Sequence, residues 1–342
     1  MIVTSPLGRV VNSRQALTTR VASVERVIRA TPVIQLTSAP ELPIDLYAKL
    51  EYSNGVGSIK DRPAFWILKG AIERGEIGPD TTVIESSSGN FACALSVFCR
   101  MLGLKFIPVI DPNVSPLYEA LLTCNCETVV KVTARDTRGG YLESRLEKVQ
   151  DLLKTFPDAY WPNQYQNVDG MAAHYHLTAA EIEPAQPDYV FIGVSTGGTI
   201  AGVSQRLKRR NRHVRIIAVD AEGSVIFGGP PKQRLLPGLG SSIQPPLVAQ
   251  AQIDDVIIVP ELDAVAACEE LLARHSLFVG ASTGSVYSAI RTYFRGQNPR
   301  VRPRVVFLCC DKGSAYLHNV FDRGWAASRA SLERQALAVV NE

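Results

Sequence analysis

Short apolar segments alternate with helix-length amphipathic segments along most of this chain, and this alternation limits the folds open to it. The strand-like segments are residues 45–50, 81–84, 105–110, 128–132, 189–194, 215–219, 255–259 and 304–309. Helical periodicity follows three of them, at residues 62–74, 91–102 and 199–210. Because strands separated by helices are joined by right-handed crossovers, the pattern predicts α/β domains with mostly parallel sheets. Ligands of such sheets bind beyond the carboxyl ends of the strands.

Composition indicates a large globular protein. The 342 residues are 46% apolar and 20% charged, with a net charge of +3, which is enough apolar material for two lobes. The dense basic run at residues 206–212 has no interleaved aromatic residues, so it is typical of a solvated helix end rather than a nucleic-acid surface. No stretch approaches the roughly 18 apolar residues of a membrane span, and the N-terminus lacks a signal-like apolar core. We therefore expect a cytoplasmic protein without nucleic-acid or membrane partners.

Cysteine and histidine spacing predicts no metal site. The seven cysteines are an odd number, and most lie in apolar surroundings, as reduced core thiols do. Cys124 and Cys126 form a close pair, but no second pair accompanies them. His174 and His176 are two residues apart and do not share a helix face.

A glycine-rich loop at residues 54–62 delivers a lysine to the start of a helix. The loop reads N-G-V-G-S-I-K-D-R, so Lys60 lies just before the helical segment. The positive end of the helix dipole and the neighbouring Arg62 would favour the neutral, nucleophilic form of this lysine. Taken alone, the loop fits a surface lysine at a helix start equally well.

Three polar turns each follow a strand-like segment. Residues 195–199, S-T-G-G-T, offer backbone N–H groups, hydroxyls and a helix start that suit a phosphate monoester, and they match neither a Walker A loop nor a dinucleotide fingerprint. Residues 85–91, E-S-S-S-G-N-F, form a second donor-rich turn that suits a carboxylate. Residues 279–285 place hydroxyls between a strand-like and a helical segment. Each turn alone also fits an ordinary helix start.

Taken together, the lysine loop and the three turns indicate one cofactor. In an α/β fold, turns at the carboxyl ends of parallel strands converge on one cleft. A nucleophilic lysine, a phosphate cup, a carboxylate pocket and a neutral hydroxyl match the needs of pyridoxal phosphate.

These residues resemble the fold-type II pyridoxal-phosphate enzymes, in particular the cysteine synthase and cystathionine β-synthase family. The resemblance runs from about residue 25 to residue 320 and includes N-Q-Y-Q-N at residues 163–167. It implies two three-layer α/β/α domains with mostly parallel sheets and the active site in the cleft between them. The implied bounds are 48–160 for a smaller domain that carries the loop at residues 86–91, 14–47 plus 161–325 for a larger cofactor-binding domain, and 326–342 for a C-terminal tail. Analogy also implies a homodimer.

The resemblance assigns cofactor roles residue by residue. Lys60 would bind the cofactor covalently and act as the catalytic base. Asn90 would hydrogen-bond the phenolic oxygen of the cofactor, and Ser282 would contact its pyridine nitrogen. The cofactor phosphate would be held by Ser195, Thr196, Gly197, Gly198 and Thr199.

The resemblance also implies substrate contacts. Ser87, Ser88 and Gln164 would surround the substrate α-carboxylate. A dianionic leaving group and a dicarboxylate nucleophile need further cationic or polar partners, and we predict Arg145 and Tyr165 for this role. Arg145 fits a helix-surface arginine equally well. A third candidate is Arg234, in the proline- and glycine-rich loop at residues 228–246.

Within the family, several strings resemble the enzymes that join O-phosphoserine to glutamate on the way to L-2,3-diaminopropionate and a siderophore. The strings are residues 139–142, 158–161, 174–176 and above all 218–228, A-V-D-A-E-G-S-V-I-F-G. The chain departs from the cysteine synthase pattern at Gly55, where a proline is usual, at residues 168–170 and at residues 314–315. We therefore predict a transferase that replaces the leaving group on the serine β-carbon by glutamate.

Two other functions stay open. One is a cysteine synthase that uses sulfide with O-phosphoserine or O-acetylserine, because sulfide needs only a small and closed site. The other is a non-catalytic partner that keeps the fold, although the intact Lys60 and the intact phosphate cup argue against it.

Overall fold

The computed structural model describes residues 2–4, 10–38, 42–136 and 139–329, and their side chains from residue 17 onward. The strands are β1 (Ile2–Thr4), β2 (Val10–Asn12), β3 (Val33–Leu36), β4 (Asp45–Lys49), β5 (Thr82–Ser86), β6 (Lys105–Ile110), β7 (Val130–Lys131), β8 (Ala159–Tyr160), β9 (Tyr189–Gly193), β10 (Arg215–Ala221), β11 (Asp255–Val259) and β12 (Arg304–Leu308). The helices are α1 (Ser13–Glu25), α2 (Asp61–Arg74), α3 (Asn90–Leu102), α4 (Pro116–Asn125), α5 (Leu142–Thr155), α6 (Val168–Ala173), α7 (Ala179–Ile182), α8 (Gly198–Arg210), α9 (Glu261–His275) and α10 (Ala281–Phe294). A π-helical turn covers His174–Thr178, and 3-10 turns cover Glu51–Ser53, Glu183–Ala185, Pro246–Gln250 and Gly313–Tyr316.

The described part of the chain divides into two compact units. Unit 1 comprises residues 1–30 and 54–174, and unit 2 comprises residues 31–53 and 175–342. These bounds differ from the domain bounds implied by the resemblance. Helix α1 belongs to unit 1 because it packs against α2 and α3, and α6 belongs there because it packs against α2. The predicted tail begins at residue 326, and its residues 330–342 lie outside the described part.

Unit 1 is built on a parallel sheet in the order β7-β6-β5-β8. Every residue of β5 is buried, as expected of a strand covered on both faces. Val83 packs into an apolar cluster with Phe65 and Phe98, whereas Ile84 packs on the opposite face with Val149 of α5. The parallel pairing of β5 with β6 brings their carboxyl ends, at Ser86 and Ile110, to the same edge of the sheet.

Unit 2 is built on a sheet in the order β11-β10-β9-β12-β4-β3, in which only β3 among the described strands runs antiparallel to its neighbour. Phe191 of β9 and Phe307 of β12 pack in one apolar cluster with Tyr287 and Phe294 of α10. The alternate residues of β9 and β12 are buried as well. Both faces of the sheet are therefore covered, and the predicted α/β class with mostly parallel sheets is confirmed.

The eight predicted strand segments all coincide with strands, and the three predicted helices begin one residue earlier than expected, at Asp61, Asn90 and Gly198. Among the residues described, no helix is both long enough and apolar enough to cross a bilayer.

The packing of α9 against α10 generates a stability prediction. A β-carbon on Gly284 would lie 2.2 Å from the Ala264 carbonyl oxygen and 2.4 Å from Cys268 Sγ. Gly284→Ala should therefore lower the free energy of unfolding by about 1–3 kcal/mol, because the backbone of α9 must move. Chemical denaturation measures this change. Gly78→Ala is the matched control, since its β-carbon would meet nothing closer than Thr81 Oγ1 at 3.9 Å. Equal stability of the two variants would contradict the prediction.

Candidate active site

Lys60 lies at the N-cap of α2 in unit 1, at the end of a loop folded around a buried carboxylate. Asp61 accepts hydrogen bonds from Val56 N (2.6 Å), Gly57 N (3.2 Å) and Ser58 Oγ (3.3 Å). The Lys60 N–H donates to Ser58 Oγ at 3.1 Å. Burial raises the pKa of Asp61 to about 6 in spite of these donors. The half-buried Lys60 thus lies at the end of a loop whose backbone is held by hydrogen bonds to Asp61.

A buried histidine lies within electrostatic reach of this lysine. Burial, together with the positive charges of Lys60 and Arg62, holds the pKa of His174 well below its usual value. Its imidazole is therefore neutral at physiological pH. Arg62 is itself fully buried, as is Asp61, so the first turn of α2 holds one buried cation and one buried carboxylate.

The turn after β5 places Asn90 at the first position of α3. The Tyr118 hydroxyl, on α4, donates to Asn90 Oδ1 at 2.5 Å. Because the amide oxygen accepts this bond, the NH₂ side of the amide is the side turned toward other acceptors. Ser87, in the same turn, accepts from the Ala92 N–H at 3.3 Å and so caps the first turn of α3.

Arg145 of α5 reaches the same turn. Its Nη1 donates to Ser88 Oγ at 3.1 Å, and its Nε lies 3.3 Å from Asp111 Oδ2, too poorly aligned for a hydrogen bond but close enough for an ion pair. The Ser88 hydroxyl donates to the same carboxylate oxygen at 3.0 Å. The Arg145 side chain is 15% exposed. Arg145 therefore does not project from an exposed helix surface, and its role in substrate binding stays a prediction.

Gln164 lies beside the start of the turn. Its Nε2 is 3.5 Å from the Ser86 carbonyl oxygen, and its backbone N–H donates to Glu85 Oε2 at 3.3 Å. Tyr165, the next residue, is half-buried. Unit 1 thus gathers Ser87, Ser88, Gln164 and Arg145 at the carboxyl ends of β5 and β6.

The predicted phosphate cup lies in unit 2, between β9 and α8. Gly197 has φ +88° and is the N-cap of α8. A β-carbon on Gly197 would lie 2.7 Å from Val248 N and 2.8 Å from Val248 Cγ2, so the close approach of the backbone requires glycine. Ser195 Oγ donates to the Gly240 carbonyl at 3.3 Å, which ties the cup to the loop that follows β10. Gly198 and Thr199 form the first helical turn.

Ser282 lies close to the same edge of the unit 2 sheet. It is in the first turn of α10, which is joined to the end of β12 by a hydrogen bond from Gly280 N to the Asp311 carbonyl at 3.1 Å. A β-carbon on Gly238 would lie 3.9 Å from Ser282 Oγ and 3.4 Å from Tyr316 Oη. The Tyr316 hydroxyl donates to Asp311 Oδ2 at 2.8 Å.

The donor set of unit 2 fits pyridoxal phosphate. It combines a helix N-terminus with glycine and hydroxyl donors, which suit a phosphate, and a buried serine hydroxyl on α10, which suits a neutral ring nitrogen.

Arg234, the third predicted cation, has main-chain partners in unit 2. Its Nη1 donates to the carbonyls of Gly223 (2.9 Å) and Ser241 (3.1 Å). These bonds join residues 223 and 241, the two ends of the loop that contains the last part of the string at residues 218–228. Arg234 therefore shapes this loop.

Comparison with known proteins identifies the family. A family model described as pyridoxal-phosphate dependent enzyme matches residues 24–311. The chain belongs to this family. The membership confirms the predicted cofactor, pyridoxal phosphate, and the prediction that the protein is an enzyme.

Two curated relatives and one solved structure are similar over most of the chain. The N-(2-amino-2-carboxyethyl)-L-glutamate synthase of Cupriavidus metallidurans is 42% identical over 314 residues, which cover 90% of this chain and 92% of that protein. The protein of the same name from Ralstonia nicotianae is 43% identical over 317 residues, covering 90% and 93%. An O-acetylserine dependent cystathionine beta-synthase from Helicobacter pylori is 28% identical with a TM-score of 0.79, covering 86% of this chain and 96% of that one.

Four residues near the predicted site were missed by the sequence analysis: Glu85, Asp111, Tyr118 and Trp161. Asp111 directly follows the predicted strand at residues 105–110, so its place at the carboxyl end could have been inferred. Glu85 opens the turn whose serines were noted. Trp161 ends the string at residues 158–161, but its bond to Glu85 joins residues distant in sequence. Tyr118 carries no local signal, because its role depends on the contact with Asn90.

The backbone of the phosphate cup generates a prediction for cofactor binding. Gly197→Ala should lower the affinity of the apoenzyme for pyridoxal phosphate at least about tenfold, because the methyl group would collide with Val248 and displace the N-terminus of α8. Absorbance titration with the cofactor measures the affinity. Gly296→Ala is the control: Gly296 also has a positive φ of +75°, but a β-carbon there would meet nothing within 4 Å. Unchanged affinity in Gly197→Ala would contradict this role of the cup.

Proposed function

We propose that this enzyme replaces the phosphate of O-phospho-L-serine by the α-amine of L-glutamate, forming N-(2-amino-2-carboxyethyl)-L-glutamate for L-2,3-diaminopropionate and siderophore biosynthesis. The observation that carries the proposal is the ion pair between the partly buried Arg145 and the buried Asp111, which presents a guanidinium to Ser88. A cation there suits the phosphate of O-phospho-L-serine or a second carboxylate, so it favours an anionic serine derivative over O-acetylserine. The names of the two curated relatives support the same reaction.

In unit 2, the phosphate cup and Ser282 would bind the cofactor. Residues 195–199 would hold the phosphate of the cofactor, and Ser282 would hydrogen-bond its ring nitrogen without protonating it. Bound pyridoxal phosphate draws electrons from the substrate α-carbon, which allows the β-substituent to leave.

Unit 1 would bind the substrate and move the proton. Lys60 would hold the cofactor covalently and, once released by the substrate, take the proton from Cα through Nζ. The bond between Cβ and the phosphate oxygen then breaks and phosphate departs. The glutamate amine forms the new N–Cβ bond and loses a proton, and Lys60 returns the proton to Cα.

The remaining residues would orient the substrate. Asn90, whose amide oxygen accepts a hydrogen bond from Tyr118, would donate through its NH₂ group to the phenolic oxygen of the cofactor. Ser87, Ser88 and Gln164 would receive the α-carboxylate, and Arg145 and Tyr165 would receive the phosphate or the distal carboxylate. We include in the proposal a cytoplasmic homodimer that acts on free amino acids without nucleic-acid or membrane partners, in line with the balanced charge of the chain.

Product analysis tests the reaction. The holoenzyme should convert O-phospho-L-serine and L-glutamate into one adduct plus inorganic phosphate, identified by mass and by phosphate release. Lys60→Ala should form no adduct, because it lacks the group that moves the Cα proton. Parallel incubations with O-acetyl-L-serine and with sulfide provide the comparison. Rapid cysteine formation without a glutamate adduct would identify a cysteine synthase and refute the proposal.

Loss of the Arg145 charge should weaken the use of anionic substrates. Arg145→Gln should lower kcat/KM by about 10–100-fold, since charge-assisted hydrogen bonds are each worth more than neutral ones. Initial rates measured at varied O-phosphoserine and then at varied glutamate show which substrate the arginine serves. Arg135→Gln is the matched control, an exposed arginine whose Nη1 donates to the Gly139 carbonyl. If both variants retain the wild-type kcat/KM, Arg145 has no substrate role.

A further inference from the structure

Three N–H donors in unit 1 converge on one buried carboxylate. Glu85 is 1% exposed and lies next to the end of β5. Its Oε1 accepts from Ser86 N at 2.7 Å and from Trp161 Nε1 at 3.3 Å, and its Oε2 accepts from Gln164 N at 3.3 Å. The mechanism proposed above makes no use of this group.

The carboxylate joins two segments that are far apart in sequence. One is the serine turn that begins at Ser86, and the other is the segment of residues 161–164. A second link between them, from Gln164 Nε2 to the Ser86 carbonyl, is 3.5 Å long, at the limit of a hydrogen bond. Glu85 therefore carries the stronger connection between the turn and Gln164.

We propose that Glu85 is a positioning residue that fixes the spacing between the serine turn and Gln164, and thereby the pocket for the α-carboxylate of the amino-acid substrate. The inference rests on the proposed function, which assigns Ser87, Ser88 and Gln164 to that carboxylate. An ionised carboxylate only accepts hydrogen bonds, so it satisfies all three donors at once. A glutamine in its place would turn an NH₂ group toward at least one N–H donor.

The protonation of Glu85 supports the same role. Burial raises the pKa of Glu85 to about 7, while the three hydrogen bonds and the charge of Arg145 act in the opposite direction. Among the elements packed against β5, α5 contributes Arg145, the end of β6 contributes Asp111, which pairs with that arginine, and β8 contributes Tyr160, whose pKa burial raises. A proton on Oε2 would face the Gln164 N–H, so protonated Glu85 and a glutamine disturb the pocket in the same way.

Binding of O-phospho-L-serine to the holoenzyme tests the proposal. Titration followed by cofactor absorbance gives the apparent Kd between pH 6 and pH 8.5. At pH 8, Glu85→Gln should raise this Kd about tenfold. The ratio of mutant to wild-type Kd should fall toward one at pH 6, where wild-type Glu85 is protonated. The phosphate of the substrate also titrates, with a pKa near 6, but it affects both proteins alike and cancels in the ratio.

Two further readouts separate positioning from general damage. The affinity for pyridoxal phosphate should stay within about twofold of wild type, and KM should change more than kcat. Glu76→Gln is the matched control, an exposed carboxylate in the same unit that should bind O-phosphoserine as wild type does. If Glu85→Gln fails to fold, Trp161→Phe removes one of the three donors and should still raise the Kd about two- to fivefold.

A wild-type Kd for O-phospho-L-serine in Glu85→Gln would overturn the inference. The same result in Trp161→Phe would overturn it if Glu85→Gln does not fold. So would a ratio of mutant to wild-type Kd that does not change with pH. Failure of the proposed function looks different. An enzyme that binds O-phosphoserine but condenses it with sulfide would refute the glutamate reaction and leave the role of Glu85 intact, because the α-carboxylate is common to both reactions.

Discussion

Parallel strand pairing brings the carboxyl ends of neighbouring strands to one edge of a sheet, and the polar side chains of each unit are placed by this constraint. In unit 1 the ends of β5 and β6 put Ser88 and Asp111 within hydrogen-bonding distance. In unit 2 the end of β9 meets the loop after β10 through the bond between Ser195 and Gly240. A slip in register would separate these partners even if every strand survived.

Buried carboxylates hold several loops of unit 1 in place by hydrogen bonds and by one ion pair. Asp61 gathers the N–H groups before α2, Glu85 gathers those around the serine turn, and Asp111 anchors Arg145. Each carboxylate offers several lone pairs and no competing donor, which suits it to fixing a loop. The cost is desolvation, which raises the pKa of Asp61 to about 6 and that of Glu85 to about 7. Protonation of either carboxyl group would replace an acceptor by a donor inside its loop.

The sequence predicted eight of the twelve described strands and the three helices that follow the turns, because hydrophobic periodicity and glycine-rich turns are local signals. It did not predict β1, β2, β3 and β8, which are at most four residues long. The roles of Lys60, of the cup at residues 195–199 and of Arg145 stay predictions, although the structure places each of them beside a turn that the sequence singled out. The sequence left open whether Arg145 lies in solvent, since its partial burial depends on Asp111 and Ser88, which are distant in sequence. The same reason explains why Tyr118 was missed. The domain bounds could not be read from local signals either, because helix α1 and residues 161–174 join unit 1 through contacts with residues distant in sequence.

The pairing of β4 with β12 has a consequence for synthesis on the ribosome. Asp45 to Lys49 align with Arg304 to Leu308, although unit 1 lies between them in the chain. All residues of unit 1 have been made once residue 174 is reached, whereas β4 has one edge without its partner until residue 308 has been made. At about 5–20 residues per second, that interval lasts on the order of ten seconds. During this interval the edge of β4 that later pairs with β12 is exposed in the nascent chain. It could pair with a wrong strand or bind a chaperone.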